Sequence, residues 1–217
     1  MDLIVRLVVR GLIAASRTWS REFRTLVEDL GTTPRLTVSI HLINSLVEAE
    51  DHRFWTHPGV DVRAVARAIF RFVLRRKLEG ASTIQQQLVR VVTGRYEITL
   101  RRKIREMAFA VALGDFLAKD DMLVLYLVRG HYGWGMSGLP RACTRLGINP
   151  RMANPVQAAS LVARLRYPEP RSYSLTQYAR IERRIQHILN RLAFAKHRDL
   201  TIGCSRPRNL LRSALGG

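Results

Sequence analysis

Thr99-Leu-Arg-Arg-Lys-Ile-Arg-Glu-Met-Ala-Phe-Ala-Val-Ala-Leu-Gly-Asp-Phe-Leu-Ala118 decides how the rest of the chain is read. Its apolar residues Ile104, Met107, Ala108, Val111 and Ala112 recur at intervals of three and four, which lines one face of an α-helix. The segment reads as one helix from about Thr99 to Ala118. The same texture extends both ways. Downstream, Asp120 is read as the cap of a helix through Val128. Gly130 to Gly135 and Gly138 then make a tight aromatic turn, since glycine permits positive φ and close backbone contact. Pro155 opens a helix over Val156–Leu165, ended by Pro168 and Pro170. Ser174 caps a last amphipathic helix to about Lys196, with Ile181, Ile185 and Ile188 on its buried side. Upstream, Ser82 and Thr83 precede a helix carrying Ile84, Leu88 and Val91, and Asp61 caps another over Arg63–Leu78. No convincing period-two alternation and no internal repeat interrupts this pattern. The fold class is all-α.

The 217 residues suffice for one well-buried core, and 47% hydrophobic with 24% charged content is ordinary for a globular chain. The charge is not ordinary. Net +19 comes from 36 basic residues, 32 of them arginine, against 17 acidic ones. Such a chain is drawn to polyanions, whether nucleic acid, anionic headgroups or phosphorylated substrates. Nucleic acid is not the expected partner, because the arginines are spread out and no recognised binding motif accompanies them. Cys143 and Cys204 fit neither a metal template nor a redox motif and read as packing residues. Met1 to Trp19 is apolar but broken by Arg6 and Arg10, too short for a spanning helix and too charged for a secretory leader. It reads as an interfacial amphipathic helix or as a surface helix packed on the domain.

Three clusters carry chemistry. In Glu48 to Asp61, acids, histidines and aromatics crowd before a Pro-Gly turn. A helical Glu50 would lie between Leu46 and Phe54 on one face, an apolar setting of the kind that prepares a carboxylate to take up a proton as a general base. In Gly80 to Leu88, Ser82 and Thr83 offer hydroxyls and exposed helix N-terminal amides suited to an anion or a sugar hydroxyl, followed by Gln85, Gln86 and Gln87. In Arg101 to Glu106, cations at helical spacing suit a diphosphate, with Glu106 orienting one of them; an ordinary Arg102–Glu106 surface pair is the plainer reading. Arg63, Arg67, Arg71 and Arg75 form a basic stripe beside Phe70 and Phe72, either a membrane-docking face or a solvated one.

In this order and spacing the clusters resemble the family 51 glycosyltransferases, the polymerising domain of bifunctional penicillin-binding proteins and of monofunctional transglycosylases. The motif Glu-Asp-x-x-Phe-x-x-His-x-Gly is met by Glu50, Asp51, Phe54, His57 and Gly59. Gly-x-Ser-Thr-Ile-x-Gln-Gln is met by Gly80, Ser82, Thr83, Ile84, Gln86 and Gln87. Arg-Lys-x-x-Glu is met by Arg102, Lys103 and Glu106. A fourth motif resembles Tyr126 to Gly138 and a fifth Ala158 to Pro170. The chain departs from the pattern at Val128, where Asn is common, at Ile98, where a cation is expected, and at Arg90, where lysine is frequent. Arg95 or Arg101 is the candidate replacement for the cation absent at Ile98.

The resemblance implies a lysozyme-like helical head lobe with a smaller membrane-proximal jaw lobe. It divides the chain into an amphipathic or linker segment 1–37, a glycosyltransferase domain 38–196 and a basic tail 197–217. It implies polymerisation of lipid II into a growing glycan strand, with inversion at the donor anomeric carbon and release of undecaprenyl pyrophosphate. Glu50 is the implied base and Glu106 the second catalytic carboxylate. Asp51, His57, Ser82, Thr83, Gln86, Gln87, Arg90, Arg102 and Lys103 are the implied substrate-side residues. No cofactor is required on this reading, although Mg or Mn assists some relatives, and no residue cluster has a dedicated metal-ligand pattern. The implied partners are the anionic membrane surface and other cell-wall synthases, at the periplasmic face of the inner membrane. The competing expectations are an impaired homologue serving as a lipid-binding scaffold, a basic nucleic-acid-binding module, and a lysozyme-like hydrolase.

Overall fold

A computed structural model describes residues 2–75 and 80–201, without the side chains of 2–5, 69, 72, 73, 75 and 196–201. Ten α-helices account for the described chain: α1 (Asp2–Ala15), α2 (Arg17–Thr32), α3 (Ile40–Glu50), α4 (Val62–Arg75), α5 (Ile84–Thr93), α6 (Leu100–Ala112), α7 (Lys119–Arg129), α8 (Leu139–Leu146), α9 (Pro155–Arg166) and α10 (Leu175–Thr201). Two 3-10 turns, Phe54–Thr56 and Leu113–Asp115, join them, and the described residues hold only isolated β-bridges, His131 with Ser137 and Gly133 with Glu169. The chain is all-α, as its periodicity requires.

Side-chain caps set where the site-bearing helices begin. Ser39 accepts from Leu42 N, Thr83 from Gln86 N and Thr99 from Arg102 N. Asn154 and Gln157 form a reciprocal capping box, and Ser174 accepts from Gln177 N at 3.3 Å. Asp61 caps α4 through Arg63 N and Ala64 N. The expectation for Asp120 is corrected: α7 begins at Lys119 after Ala118, which makes no side-chain cap. Asp120 and Asp121 lie in the first turn instead, where negative charge meets the positive end of the helix dipole.

The single helix read from Thr99 to Ala118 is also corrected, because α6 stops at Ala112 and tightens into the Leu113–Asp115 turn. That turn aims the Asp115 carboxylate at α1, where it accepts from Arg6 Nη1 and Arg10 Nε at 2.9 Å each. The hydrogen bond from Arg10, with the nearby Arg6, holds the Asp115 carboxyl below the usual carboxylate range. Ile13 is buried, so α1 packs on the body while Leu7, Val8 and Leu12 stay exposed. Among the described residues no helix is long and apolar enough to cross a membrane.

The core runs between α3, α5, α7 and α9, with α10 closing one side and α2 the other. Helix α3 packs on α9, and Leu42 and Leu46 of the one and Ala158, Ala159, Val162 and Ala163 of the other are fully buried. Small alanines let the helix axes approach, and each large aliphatic buried this way contributes about 2 kcal/mol. From α2, Phe23 lies with its ring centroid 5.2 Å from that of Phe109 on α6, and Leu26 and Leu30 are buried beside it. Cys143 is buried in α8, where desolvation pushes its thiol up to about 11; Cys204 lies outside the described residues.

Gly59 is where backbone geometry constrains the site most. It has φ +152°, and a Cβ there would stand 2.5 Å from the Ala110 carbonyl oxygen of α6. Gly59→Ala should therefore lower stability by about 2–3 kcal/mol. Gly31, in α2 with nothing within 4 Å, is the control, and Gly31→Ala should be neutral or stabilising by up to about 1 kcal/mol. Denaturant midpoints of the two variants check this contrast.

Candidate active site

Helix α3 ends at Glu50 because Asp51 leaves helical backbone, at φ −159° and ψ 73°. The buried Asp51 carboxylate then fastens three segments together. Its Oδ2 accepts from the Ile84 backbone N–H at the start of α5 (3.2 Å) and from His57 Nε2 (3.0 Å). Thr83 Oγ1 donates to Gly59 O at 2.6 Å, and Lys119 Nζ donates to the carbonyls of Phe54 and His57 at 2.7 and 2.8 Å. The end of α3, the loop 51–61 and the start of α5 are thereby held as one piece.

That assembly points the Glu50 side chain, 10% exposed, between α5 and α10. The setting differs from the apolar one read from the sequence. Leu46 and Phe54 turn into the core, both fully buried. The carboxylate meets polar partners instead: Oε2 accepts from Gln87 Nε2 at 3.2 Å and Oε1 from Arg184 Nη2 at 2.9 Å. The reason is that the helix does not continue past Glu50, so Phe54 is not one turn ahead of it. Gln87 is itself oriented, because its Oε1 accepts from Tyr126 OH at 2.7 Å. Burial pushes the Tyr126 phenol far above its ordinary value, so it remains a neutral donor.

One residue earlier on α5, Gln86 reaches the cation cluster. Lys103 Nζ donates to Gln86 Oε1 (2.6 Å), Glu106 Oε1 (2.7 Å) and Ser82 Oγ (2.9 Å), using all three of its hydrogens. Arg90 grips Glu106 with two parallel bonds of 3.0 Å, from Nε to Oε2 and Nη2 to Oε1, and Nη2 also reaches Ser82 Oγ at 3.4 Å. Arg102 Nη1 pairs with Glu106 Oε2 as well. One buried carboxylate thus gathers three cations. Burial pushes the Glu106 carboxyl up, yet the hydrogen bonds and charges of Arg90 and Lys103 outweigh that and leave it below the usual carboxylate range. Burial lowers Lys103, helped by the neighbouring Arg90 and Arg102 and only partly offset by Glu106. The hydrogen bond to Glu106 raises Arg90.

On the outer side of this cluster a cleft is lined by Arg90, Arg95, Arg102, Arg105 and Glu106. Glu22 of α2 holds Arg95 at 2.6 Å and Arg105 at 2.9 Å. Of the two residues considered in place of a cation at Ile98, Arg95 lines the cleft and Arg101 is exposed on α6; Ile98 is 100% exposed. Val128 is buried at the end of α7. Asp51, His57, Thr83 and Gln86 are buried, whereas Ser82, Gln87, Arg90, Arg102 and Lys103 keep partial exposure around Glu50 and Glu106.

Residues 21–193 match the family described as Transglycosylase. This chain belongs to the transglycosylase family. Among relatives, it is 34% identical over 162 residues to a biosynthetic peptidoglycan transglycosylase of Nitrosomonas eutropha, covering 73% of this chain and 66% of that protein. It is 30% identical over 188 residues to penicillin-binding protein 1A of Rickettsia conorii, covering 82% of this chain and 24% of the relative. It is 36% identical over 122 residues to penicillin-binding protein 1F of Bacillus subtilis, covering 54% of this chain and 17% of the relative. The chain spans only about a sixth to a quarter of the length of the penicillin-binding proteins it matches.

One residue at the site, Arg184, falls outside the motifs that carry the resemblance. Arg184 of α10 stands three positions after buried Ile181 and four before buried Ile188, which puts a cation on the apolar face of an amphipathic helix. That pattern is the signal by which Arg184 is recognisable in the sequence. Among the described residues, no three His, Cys, Asp or Glu side chains group as metal ligands. Both Glu106 oxygens are engaged by arginine and lysine, a donor set that does not fit a divalent cation.

Glu106→Gln leaves three cations facing one another around a neutral amide, and should cost about 3 kcal/mol near neutral pH. The sign with pH follows from the direction of the shift. The Glu106 carboxyl is depressed in the folded chain, so its contribution is complete above the ordinary carboxylate range and is lost as pH falls through the folded value. Melting curves of the wild type and the variant should lie far apart at about pH 7 and converge only as pH falls below the ordinary carboxylate range.

Proposed function

We propose that this transglycosylase polymerises lipid-linked disaccharides of the lipid II type, using Glu50 as general base and the Arg90–Arg102–Lys103 cluster to receive the leaving diphosphate. The observation that carries this reading is the split between two consecutive residues of α5. Gln87 bonds to Glu50 while Gln86 bonds to Lys103, so proton acceptor and cations flank one short stretch of helix. A base at one end and concentrated positive charge at the other is the arrangement a glycosyl transfer with an anionic leaving group demands.

In the proposed step Glu50 accepts the proton of the acceptor sugar 4-hydroxyl. The freed electron pair attacks the donor anomeric carbon, the bond from that carbon to the diphosphate oxygen breaks with inversion, and undecaprenyl pyrophosphate departs with the bonding pair. Arg90, Arg102 and Lys103 oppose the charge that develops on it, and Glu106 keeps the three in register. Ser82 and Gln87 face the donor; Thr83 and Gln86 support them from within, as Asp51 and His57 support Glu50. The side-chain cations serve the leaving group.

A polyprenyl substrate confines the reaction to a bilayer, which on this reading is the periplasmic face of the inner membrane. α4 is the proposed docking element and jaw lobe. Arg63, Arg67 and Arg71 are exposed along it together with Phe70, 65% exposed, and Leu74. Arg75 and Phe72, expected in the same stripe, lie outside the described side chains. Replacing Arg63, Arg67 and Arg71 together with Gln should weaken co-sedimentation with anionic liposomes by roughly 100-fold. Unchanged partitioning removes α4 as the docking face.

Polymer formation by the purified chain tests the chemistry. Glu50→Gln should lower the rate by at least about 100-fold while the chain still folds cooperatively, with a melting temperature lowered by the loss of the Arg184 ion pair. No polymer from the wild type favours the scaffold, which the exposed Ile98 in place of a cation would explain; soluble fragments from finished wall favour a hydrolase.

A further inference from the structure

We infer that Arg184 is a positioning residue for Glu50, holding its carboxylate from the side opposite Gln87. This role rests on Glu50 being the general base. A single guanidinium nitrogen makes the contact: Nη2 donates to Glu50 Oε1 at 2.9 Å and to the Ala49 carbonyl oxygen at 2.7 Å. The first bond fixes the carboxylate, and the second fixes the last turn of the helix that carries it. Gln87, held by Tyr126, takes the other oxygen from α5. Each carboxylate oxygen has two lone pairs, so one donor on each leaves both able to accept from a sugar hydroxyl. With a donor from α5 and a donor from α10, the carboxylate plane cannot rotate without breaking a bond.

The same two helices supply an internal comparison. Arg191, seven residues on, pairs with Glu48 of α3 at 3.4 Å. Both arginines pin α10 to α3 across a partly buried ion pair, and only Arg184 touches Glu50. A purely structural clamp would make the two equivalent.

The two bonds from one nitrogen also set what can replace Arg184. A lysine ammonium carries three hydrogens on one atom and can serve both acceptors, whereas methionine serves neither. In polymerisation assays with the full chain, Arg184→Met should lower kcat by about 100-fold, the cost of a catalytic group misplaced by about an ångström, with KM within about twofold. Arg184→Lys should recover most of that loss, and Arg191→Met should leave kcat within about threefold of the wild type. Thermal melts of all three accompany the kinetics, and if Arg184→Met fails to fold, Arg184→Gln takes its place. Equal losses in Arg184→Met and Arg191→Met, a change confined to KM, or no rescue by lysine each overturn the role. An active Glu50→Gln, or a wild type that makes no polymer, removes the base reading and this role with it. An inactive Glu50→Gln beside a fully active Arg184→Met removes this role alone.

Discussion

The Asp51 carboxylate is the interaction on which the arrangement depends. It sits immediately after Glu50, is buried, and accepts from the first backbone N–H of α5 and from His57. An unpaired carboxylate at that depth would be strongly unfavourable, so the bonds to α5 and His57 are a condition of burying it. The register they impose brings α5 across the end of α3, and Gln87 therefore meets Glu50 while Gln86 meets Lys103. The close passage of Gly59 against Ala110 serves the same end by letting the loop lie flat on α6. A bulkier residue there would lift the loop, and with it the His57 bond.

The second organising feature is the gathering of positive charge by few carboxylates. A net charge of +19 spread evenly would only make the chain adhesive. Instead Glu106 collects Arg90, Arg102 and Lys103, Glu22 collects Arg95 and Arg105, and Asp115 collects Arg6 and Arg10. The Glu106 and Asp115 clusters keep an excess of cations over anions, whereas Glu97, at 4.0 Å from Arg95, balances the Glu22 cluster. Among these three, the Glu106 cluster is the one tied through Gln86 to the helix whose next residue, Gln87, bonds Glu50, the proposed proton acceptor.

Much of this was legible in the sequence. Thr83 and Ser174 preceding apolar periodicity announce helix starts, and the spacing of Arg102, Lys103 and Glu106 already puts them on one helical face. Asp120 misleads because an acidic residue suits both a cap and a first turn, and backbone geometry alone separates the two. The surroundings of Glu50 were misread for a related reason. Intervals of four predict neighbours only while the helix lasts, and it ends at Glu50. Arg184 lies 134 positions from its partner, so no local pattern links the two. What the sequence does carry is an arginine on an otherwise apolar helical face, which asks for a buried carboxylate without naming one.

On the proposed reading Glu50 and the Arg90–Lys103 cluster serve a single glycosyl transfer, one facing the acceptor hydroxyl and the other the donor diphosphate. A crystal structure of the chain with a donor analogue carrying a non-cleavable diphosphate tests it most directly. Diphosphate oxygens are expected at about 3 Å from Arg90 and Lys103, and the anomeric carbon facing the Glu50 carboxylate across a gap wide enough for one acceptor hydroxyl. A diphosphate bound elsewhere, or an anomeric carbon turned away from Glu50, contradicts it.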